Sequence, residues 1–340
     1  MKIVLATGIY PPEIGGPAQY AKNLYEEFTR QSHQVRVLTY NVENYLPTGV
    51  RHLYFFIKTF FTSLFFQPGF ILVLDTFSVA LPSVFVAKLL GRKIIIRTGG
   101  DFLWEGYVER TGDLVLLREF YKKIKSSEIK LNLKERIIFR LTKWTVKSCS
   151  ILVFSTNWQK EIWCEVYQLD LAKCEIKIVE NYFGEKLTSE EPKQKVFLSG
   201  GRALKLKNSE YLKRIFTSAE AVQLEINLEI VKLSHEQFLV KLKTCYAVIL
   251  VSASDISPNL ALDALRFNKP VILTQETGLR ERLGEAVIWV DPENEQDIAD
   301  KIKWLAWSEN YKIACERAQS FTFTHSWHQI ATEFLNLAKL

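Results

Sequence analysis

One strand, loop, helix and strand pattern limits the fold more than any other part of the sequence. Residues 247–252 (AVILVS) form an apolar, β-branched run that is typical of a strand buried on both faces. Ser257 suits a helix N-cap and Pro258 the first helical position, and this helix is expected to end near Asn268. Residues 269–274 then predict the next strand. This order predicts an α/β fold with a parallel sheet.

Two carboxylates accompany the helix of this pattern. A helix N-terminus at the carboxyl end of a parallel strand favours a phosphate. Asp255 lies on the loop just before that terminus, and Asp263 lies two turns along the helix. A ligand that carries both phosphate and hydroxyl groups, such as a sugar nucleotide, suits such a site. An ordinary βαβ unit with an acidic cap has the same pattern, so the stretch alone leaves both interpretations open.

Length and composition indicate a globular protein of two domains. The chain has 340 residues, of which 48% are hydrophobic and 24% charged. Its five cysteines have neither C-x-x-C nor zinc spacing, which favours a reducing compartment without a disulfide framework. The N-terminal MKIVLATG predicts a strand and not a signal peptide. The apolar region 53–74 is interrupted by Lys58 and by residues 67–69 (QPG), so no transmembrane helix is predicted.

Positive charge is concentrated in the first half of the chain. Residues 1–150 hold 21 Lys and Arg against 12 Asp and Glu, whereas the remainder holds 23 against 26. The excess is strongest in the aromatic-bearing segment 118–147. Such a segment suits a membrane surface, a lipid-linked pyrophosphate or an acidic glycan, although a solvated helical face gives the same pattern. No nucleic-acid recognition module is visible, so nucleic acid is not an expected partner.

Three further turns follow predicted strands. Residues 8–17 (GIYPPEIGGP) precede a helix, and the Gly15-Gly16 pair lets a ligand approach the backbone closely; this is not the G-x-G-x-x-G of dinucleotide enzymes. A Gly-Gly-Asp turn ending in Asp101 is where an α/β sheet places ligand contacts, although Asp101 also suits an N-cap. Arg202 and Lys207, after the strand 196–199, can hold a diphosphate; a basic surface loop is the alternative.

These motifs together resemble family 4 glycosyltransferases of the GT-B fold. The central stretch is similar to E-G-x-P-N-x-x-x-E-A followed by G-x-P-V-I, with Asp255 and Asp263 replacing the glutamates, Ile256 the first glycine and Asn268 the second. Each aspartate keeps the charge on an arm shorter by about 1.5 Å.

Similar matches run along nearly the whole chain. They are P-P-x-x-G-G-x-x-x-Y at 11–20, G-D-x-x-W-E at 100–105, G-R-x-x-x-x-K-[GN] at 201–208 and an F-S-W element near 323–327.

The resemblance implies two Rossmann-like domains facing a central cleft. The first, acceptor-side domain would span 1–185, with a C-terminal helix 325–340 crossing back to it. The nucleotide-sugar-binding domain would span 195–320, after a polar linker at 186–195. A βα unit usual before Asp255 is missing, so this second domain is expected to be trimmed to about five strands. Residues 106–127 are polar and irregular in pattern, with helical pieces, which suggests a mobile flap over the acceptor cleft.

The implied function is transfer of a sugar from a nucleotide sugar to a hydroxyl acceptor, with retention, on a glycan or lipid-linked glycan of surface polysaccharide synthesis. No D-x-D motif occurs, and neither a metal nor another cofactor is expected. The expected location is the cytoplasm, with a peripheral membrane contact. The candidate residues and their implied roles are Arg202 and Lys207 for the leaving diphosphate, Pro258, Asn259 and Leu260 for the helix N-terminus, Asp255 for sugar hydroxyls, Asp263 for ribose, Gly15 and Gly16 for the diphosphate, and Asp101 and Glu105 for the acceptor.

Two alternatives stay open at this point. The first is a non-catalytic GT-B relative that binds a nucleotide sugar or glycan as a partner subunit. The aspartate replacements and the trimmed domain favour it. The second is a GT-B epimerase or phosphorylase.

Overall fold

A computed structural model of the chain describes residues 1–13, 15–170, 175–200 and 204–340. The elements alternate between strands and helices. In chain order they are β1 (Lys2–Ala6), α1 (Gly16–Arg30), β2 (Gln34–Leu38), α2 (Thr48–Phe66), β3 (Phe70–Val73), α3 (Ala80–Leu90), β4 (Lys93–Arg97), α4 (Phe102–Thr111), α5 (Leu117–Lys125), α6 (Leu133–Ser148), β5 (Ile151–Phe154), α7 (Asn157–Tyr167), β6 (Glu175–Ile178), β7 (Lys195–Gly200), α8 (Ser209–Phe216), α9 (Ala219–Gln223), β8 (Ile226–Val231), α10 (His235–Thr244), β9 (Ala247–Leu250), α11 (Asn259–Arg266), β10 (Val271–Thr274), α12 (Arg280–Leu283), β11 (Ile288–Val290), α13 (Glu295–Ala306), α14 (Ser308–Ser320) and α15 (Trp327–Lys339).

The first compact unit comprises residues 1–103, 126–181 and 326–340. Its six strands are parallel, in the order β2-β1-β3-β4-β5-β6. Strands β3 and β5 are apolar and buried along their whole length, as expected where helices cover both faces of a sheet. Right-handed crossovers place α2, α3 and α6 on one face, and α1, with α15 packed on it, on the other.

The second unit comprises residues 104–125 and 182–325. Its five parallel strands have the order β11-β10-β9-β7-β8. Neighbouring residues of β7 enter opposite cores, because side chains alternate along a strand: Phe197 packs with Tyr246, and Leu198 lies in the cluster of Phe238. The predicted α/β class with parallel sheets is confirmed, and the second sheet has the expected five strands.

Two stretches make long-range contacts within the second unit. Residues 106–127 contain helical pieces as expected, since α4 and α5 occupy most of them and bury Val108, Leu117 and Phe120. Residues 104–125 belong to the second unit, where the Leu117 N–H donates to Ser254 Oγ at 2.9 Å. The stretch 186–195 also packs there, since the Glu190 N–H donates to a carbonyl of α10. Both contacts are with residues more than 50 positions away in the sequence.

The described residues include no helix that is long and apolar enough to cross a bilayer.

Candidate functional site

The second sheet has a topological switch point between β7 and β9. From β7 the chain runs outward to β8 and then returns to form β9 on the other side of β7. The loops that follow β7 and β9 therefore diverge at the carboxyl edge of the sheet, which is where open α/β sheets bind ligands. Lys207 lies on the first of these loops, in a 3-10 turn at Lys205–Lys207, and Asp255 lies on the second.

The switch point brings Lys207 and Asp255 into contact. Lys207 Nζ donates to Asp255 Oδ2 at 2.8 Å, and their side chains are 26% and 17% exposed. Backbone hydrogen bonds connect the surrounding loops, from Ala253 N–H to Leu206 O at 2.8 Å and from Asp255 N–H to Glu276 O at 2.9 Å. The pair is thus held in a fixed position and remains accessible. Arg202, the second predicted diphosphate ligand, lies outside the described residues, as does Gly201.

Helix α11 begins one residue later than predicted. Pro258 is the N-cap, at φ −69° and ψ 105°, and Asn259 is the first helical residue, so Ser257 is not the cap. Pro258 provides no side-chain hydrogen bond to the first turn. The N-terminal turn with Asn259 and Leu260 therefore has the character of an anion site. After the helix, Asn268 has φ 56°, a conformation that favours glycine and that asparagine tolerates.

Both oxygens of Asp263 have protein partners. Arg266 donates to Oδ1 at 3.1 Å, and His235 Nε2 lies 2.9 Å from Oδ2. The Asp263 and Arg266 side chains are 11% and 10% exposed. Sequence reasoning missed both partners. The signal for His235 was available, because it begins the helix after β8, whose carboxyl end lies at the same edge of the sheet.

A pocket of about 230 Å³ opens at this edge of the second unit. Asn208, directly after Lys207, lines it and donates to Pro292 O at 3.2 Å. The other lining residues are Leu114, Leu116, Tyr211, Ala253 and Glu293. Residues 104–125 therefore contribute a wall to a pocket of the second unit, which the sequence did not indicate.

Glu276 follows β10 at the same edge and was also missed by sequence reasoning. Burial raises the pKa of its carboxyl, and the nearby Arg118 guanidinium opposes that shift. A carboxyl with a raised pKa beside a cation is a further polar group at this edge of the sheet.

The Gly15-Gly16 pair lies at the topological switch point of the first sheet, between β1 and β3. Gly15 is the N-cap of α1 in an extended conformation, and α1 begins at Gly16, after the loop that follows β1. A Cβ on Gly15 would come within 3.2 Å of Ile9 Cδ1, so the glycine also serves close packing. Asp75, after β3 at the same point, accepts hydrogen bonds from the N–H groups of Val79 and Ala80, and sequence reasoning missed it.

The two predicted acceptor-side carboxylates differ in exposure. Asp101 is 1% exposed and accepts a hydrogen bond from Trp163 Nε1 at 3.0 Å in the first unit. Glu105 is partly exposed on α4, in the part of that helix that belongs to the second unit. Trp104 is buried and donates from Nε1 to Val115 O at 2.8 Å, so it anchors a core.

In the described ranges, no group of three or more His, Cys, Asp and Glu side chains could hold a metal ion. His325 is buried and forms backbone hydrogen bonds with Phe183, and His328 lies 3.1 Å from Glu27.

One protein family matches the part of the chain that carries this site. The family of Glycosyl transferases group 1 matches residues 182–320, which form most of the second unit. No curated protein sequence matches the chain significantly.

Among solved structures, the chain is similar over nearly its whole length to three proteins of low sequence identity. Sucrose-phosphate synthase from Thermosynechococcus elongatus has a TM-score of 0.71 at 13% identity, covering 99% of this chain and 98% of that one. The lipopolysaccharide outer core galactosyltransferase WaaB has a TM-score of 0.63 at 14% identity, and HepE of Anabaena in complex with UDP-glucose has a TM-score of 0.67 at 12% identity. Each of these two matches covers 100% of this chain and 100% of the other. Residues 182–320 therefore resemble the glycosyl transferases group 1, and the chain is a glycosyltransferase of class EC 2.4 with the GT-B fold.

Proposed function

We propose that this protein transfers a sugar from a nucleoside diphosphate sugar to a hydroxyl acceptor. The Lys207–Asp255 pair at the switch point, beside the start of α11, carries the proposal. It combines a cation and a helix N-terminus for a diphosphate with a carboxylate for sugar hydroxyls. The HepE structures with UDP and UDP-glucose support a donor of this kind.

Negative charge develops on the leaving diphosphate during transfer, and the site lowers the activation free energy mainly by stabilising this charge. Lys207 and Arg202 would neutralise it, together with the N–H groups of the first turn of α11, and no metal would be needed. Asp255 would bind hydroxyls of the donor sugar. Asp263, fixed by Arg266 and His235, would orient the ribose. The family resemblance favours retention of configuration.

The acceptor is proposed to be a glycan or a lipid-linked glycan. Glu105 is the more accessible of the two acceptor-side candidates, and the Gly15-Gly16 turn would lie near the diphosphate. Segment 118–147 would contact anionic lipid at the cytoplasmic face of a membrane. Its basic residues belong to α5 in the second unit and α6 in the first.

The test is calorimetric titration with UDP, GDP and ADP, followed by an assay of nucleoside diphosphate release from the matching sugar conjugates. The wild type should bind one base class, and Lys207→Met should weaken this binding at least about tenfold, since a charge-assisted contact to phosphate is lost. Lys205→Gln is the matched control, because the Lys205 ammonium contacts Glu109 O and not Asp255. Failure of all three nucleotides to bind would refute the donor site.

One observation favours a non-catalytic binding subunit as the second candidate. Both aspartates of the signature already have protein partners, Lys207 for Asp255 and Arg266 with His235 for Asp263. Tight binding of a nucleotide sugar without release of free sugar or nucleoside diphosphate would support this alternative. A large gain in turnover from Asp255→Glu with Asp263→Glu would point the same way.

A further inference from the structure

Helix α2 of the first unit exposes an apolar face. Its buried face holds Phe55 and Phe66 together with the hydroxyl side chains of Thr59 and Ser63. Its outer face is apolar and aromatic from Val50 to Phe65, over about 24 Å. The exposed residues repeat every three to four positions: Val50, Leu53, Tyr54, Ile57, Phe61, Leu64 and Phe65. A surface helix in water normally exposes polar residues instead, so this face is suited to an apolar phase.

The exposed apolar surface continues onto the neighbouring helices. Helix α3 packs beside α2 and exposes Phe85 and Leu89, the latter by 65%. A groove of about 310 Å³ with almost wholly apolar walls lies between the two helices. Phe85 also stacks on Trp144 of α6 with ring centroids 4.4 Å apart. The three helices thus form one outer layer, which we call the α2–α3–α6 face.

The charged residues of the three helices are almost all basic. The three helices contain eight basic residues and a single acidic one, Glu135, which is buried in the capping box of α6. Arg140 and Lys147 are exposed, four positions before and three after Trp144, so they lie on the helix side that meets Phe85. An aromatic surface bordered by cations suits the boundary between anionic headgroups and acyl chains.

We propose that the α2–α3–α6 face docks on an anionic phospholipid bilayer, with Phe61 and Phe65 entering the acyl boundary and Arg140 and Lys147 contacting headgroup phosphates. A second copy of the chain fits less well, because a two-fold interface would set the same basic helix against itself. Docking rests on the membrane contact proposed above for segment 118–147, to which Arg140 and Lys147 belong, but it needs no sugar transfer and can be tested without any donor.

The experiment is flotation of the full chain with vesicles of phosphatidylcholine, with and without about one third phosphatidylglycerol. The wild type should bind the anionic vesicles and not the neutral ones. Phe61→Gln with Phe65→Gln should reduce binding about tenfold or more, because buried apolar area is lost. Arg140→Gln with Lys147→Gln should reduce it about thirtyfold, since each cation near an anionic surface is worth about 1 kcal/mol.

Matched controls come from exposed residues of the second unit. Val222→Gln with Val240→Gln removes two apolar side chains that are 71% and 70% exposed, and Lys312→Gln removes an exposed cation; both should bind like the wild type. Unaltered binding in both test variants, or no wild-type binding to anionic vesicles, overturns the proposal. So does a wild-type dimer in solution that the phenylalanine variant makes monomeric, if vesicle binding does not change.

Discussion

The ammonium nitrogen of Lys207 lies 2.8 Å from Oδ2 of Asp255, so the cation proposed for the donor diphosphate already has a protein counter-ion. An incoming diphosphate has to share Lys207 with Asp255. The carboxylate, in turn, would gain sugar hydroxyls as new partners. The pair thus couples binding of the two ends of the donor.

Replacing Asp255 should separate nucleotide binding from turnover. In Asp255→Asn the charge of Lys207 is no longer compensated, and repulsion of the diphosphate is removed, so UDP or its analogue should bind about fivefold tighter. Transfer should fall at least about tenfold, because the contact with the donor sugar weakens. Calorimetry and steady-state kinetics measure both effects. Glu210→Gln, an exposed carboxylate paired with Lys213, is the control. Weaker nucleotide binding in Asp255→Asn would contradict the model of shared charge.

Asp263 should stabilise the fold in the absence of any ligand. Asp263→Asn leaves the Arg266 guanidinium without its carboxylate partner in a buried position, so the free energy of unfolding should fall by about 3 kcal/mol. Urea denaturation of the ligand-free protein measures this change. Asp300→Asn, at an exposed position of α13, should change it by less than about 0.5 kcal/mol. An undiminished stability in Asp263→Asn would mean that the carboxylate serves the ligand alone.

Gly200, at the end of β7, is required by Phe238. A Cβ on Gly200 would overlap the Phe238 ring and lie 3.1 Å from Val231 O. Gly200→Ala should therefore destabilise the protein by about 1–3 kcal/mol. Adding Phe238→Leu should recover part of this loss, which a double-mutant cycle on thermal unfolding detects. Gly106→Ala, where a Cβ meets no atom within 4 Å, is the control. Additive effects of the two substitutions would rule out the steric cause.

Lys186 should give the protein a pH-dependent stability. Its Nζ donates to Leu265 O at 2.8 Å and to Ala318 O at 2.6 Å, in the last turns of α11 and α14. Burial lowers the pKa of Lys186 from 10.5 to about 8. Between these values the unfolded chain holds more protons, so stability relative to Lys186→Met should rise with pH.

Denaturation of the wild type and Lys186→Met at about pH 7, 8.5 and 10 tests this, because other groups titrate equally in both proteins. A difference in unfolding free energy that stays constant with pH would place the pKa of Lys186 outside this window.

Apolar runs allowed the strands to be predicted well. The strand expected at 196–199 lies within β7, and those expected at 247–252 and 269–274 contain β9 and β10. Such elements are determined locally, by apolar, β-branched sequence. The start of α11 was shifted by one residue, because Ser257 and Pro258 both suit a helix start and only the backbone conformation distinguishes them.

Long-range packing explains what the sequence did not reveal. Leu117 meets Ser254 across 137 positions, so residues 104–125 could not be assigned to the second unit from their own pattern. The two partners of Asp263 also differ in their distance from it along the sequence. Arg266 is three residues away on one helix face, whereas His235 reaches the carboxylate from another βα unit. The pairing of Lys207 with Asp255 depends on the order of β7 and β9 in the sheet, which is a property of topology.

Helix α15 affects how the chain completes its fold during translation. Residues 326–340 belong to the first unit, where Ile330 and Phe334 are fully buried and Trp327 packs edge-on against Tyr20 of α1. When the ribosome has added residue 325, every residue of the second unit has been made, and the first unit still lacks this helix. Domains usually fold in the order of their synthesis. Here the unit that is begun first is completed after the second one, and α1 keeps an apolar surface exposed until residues 326–340 have been made.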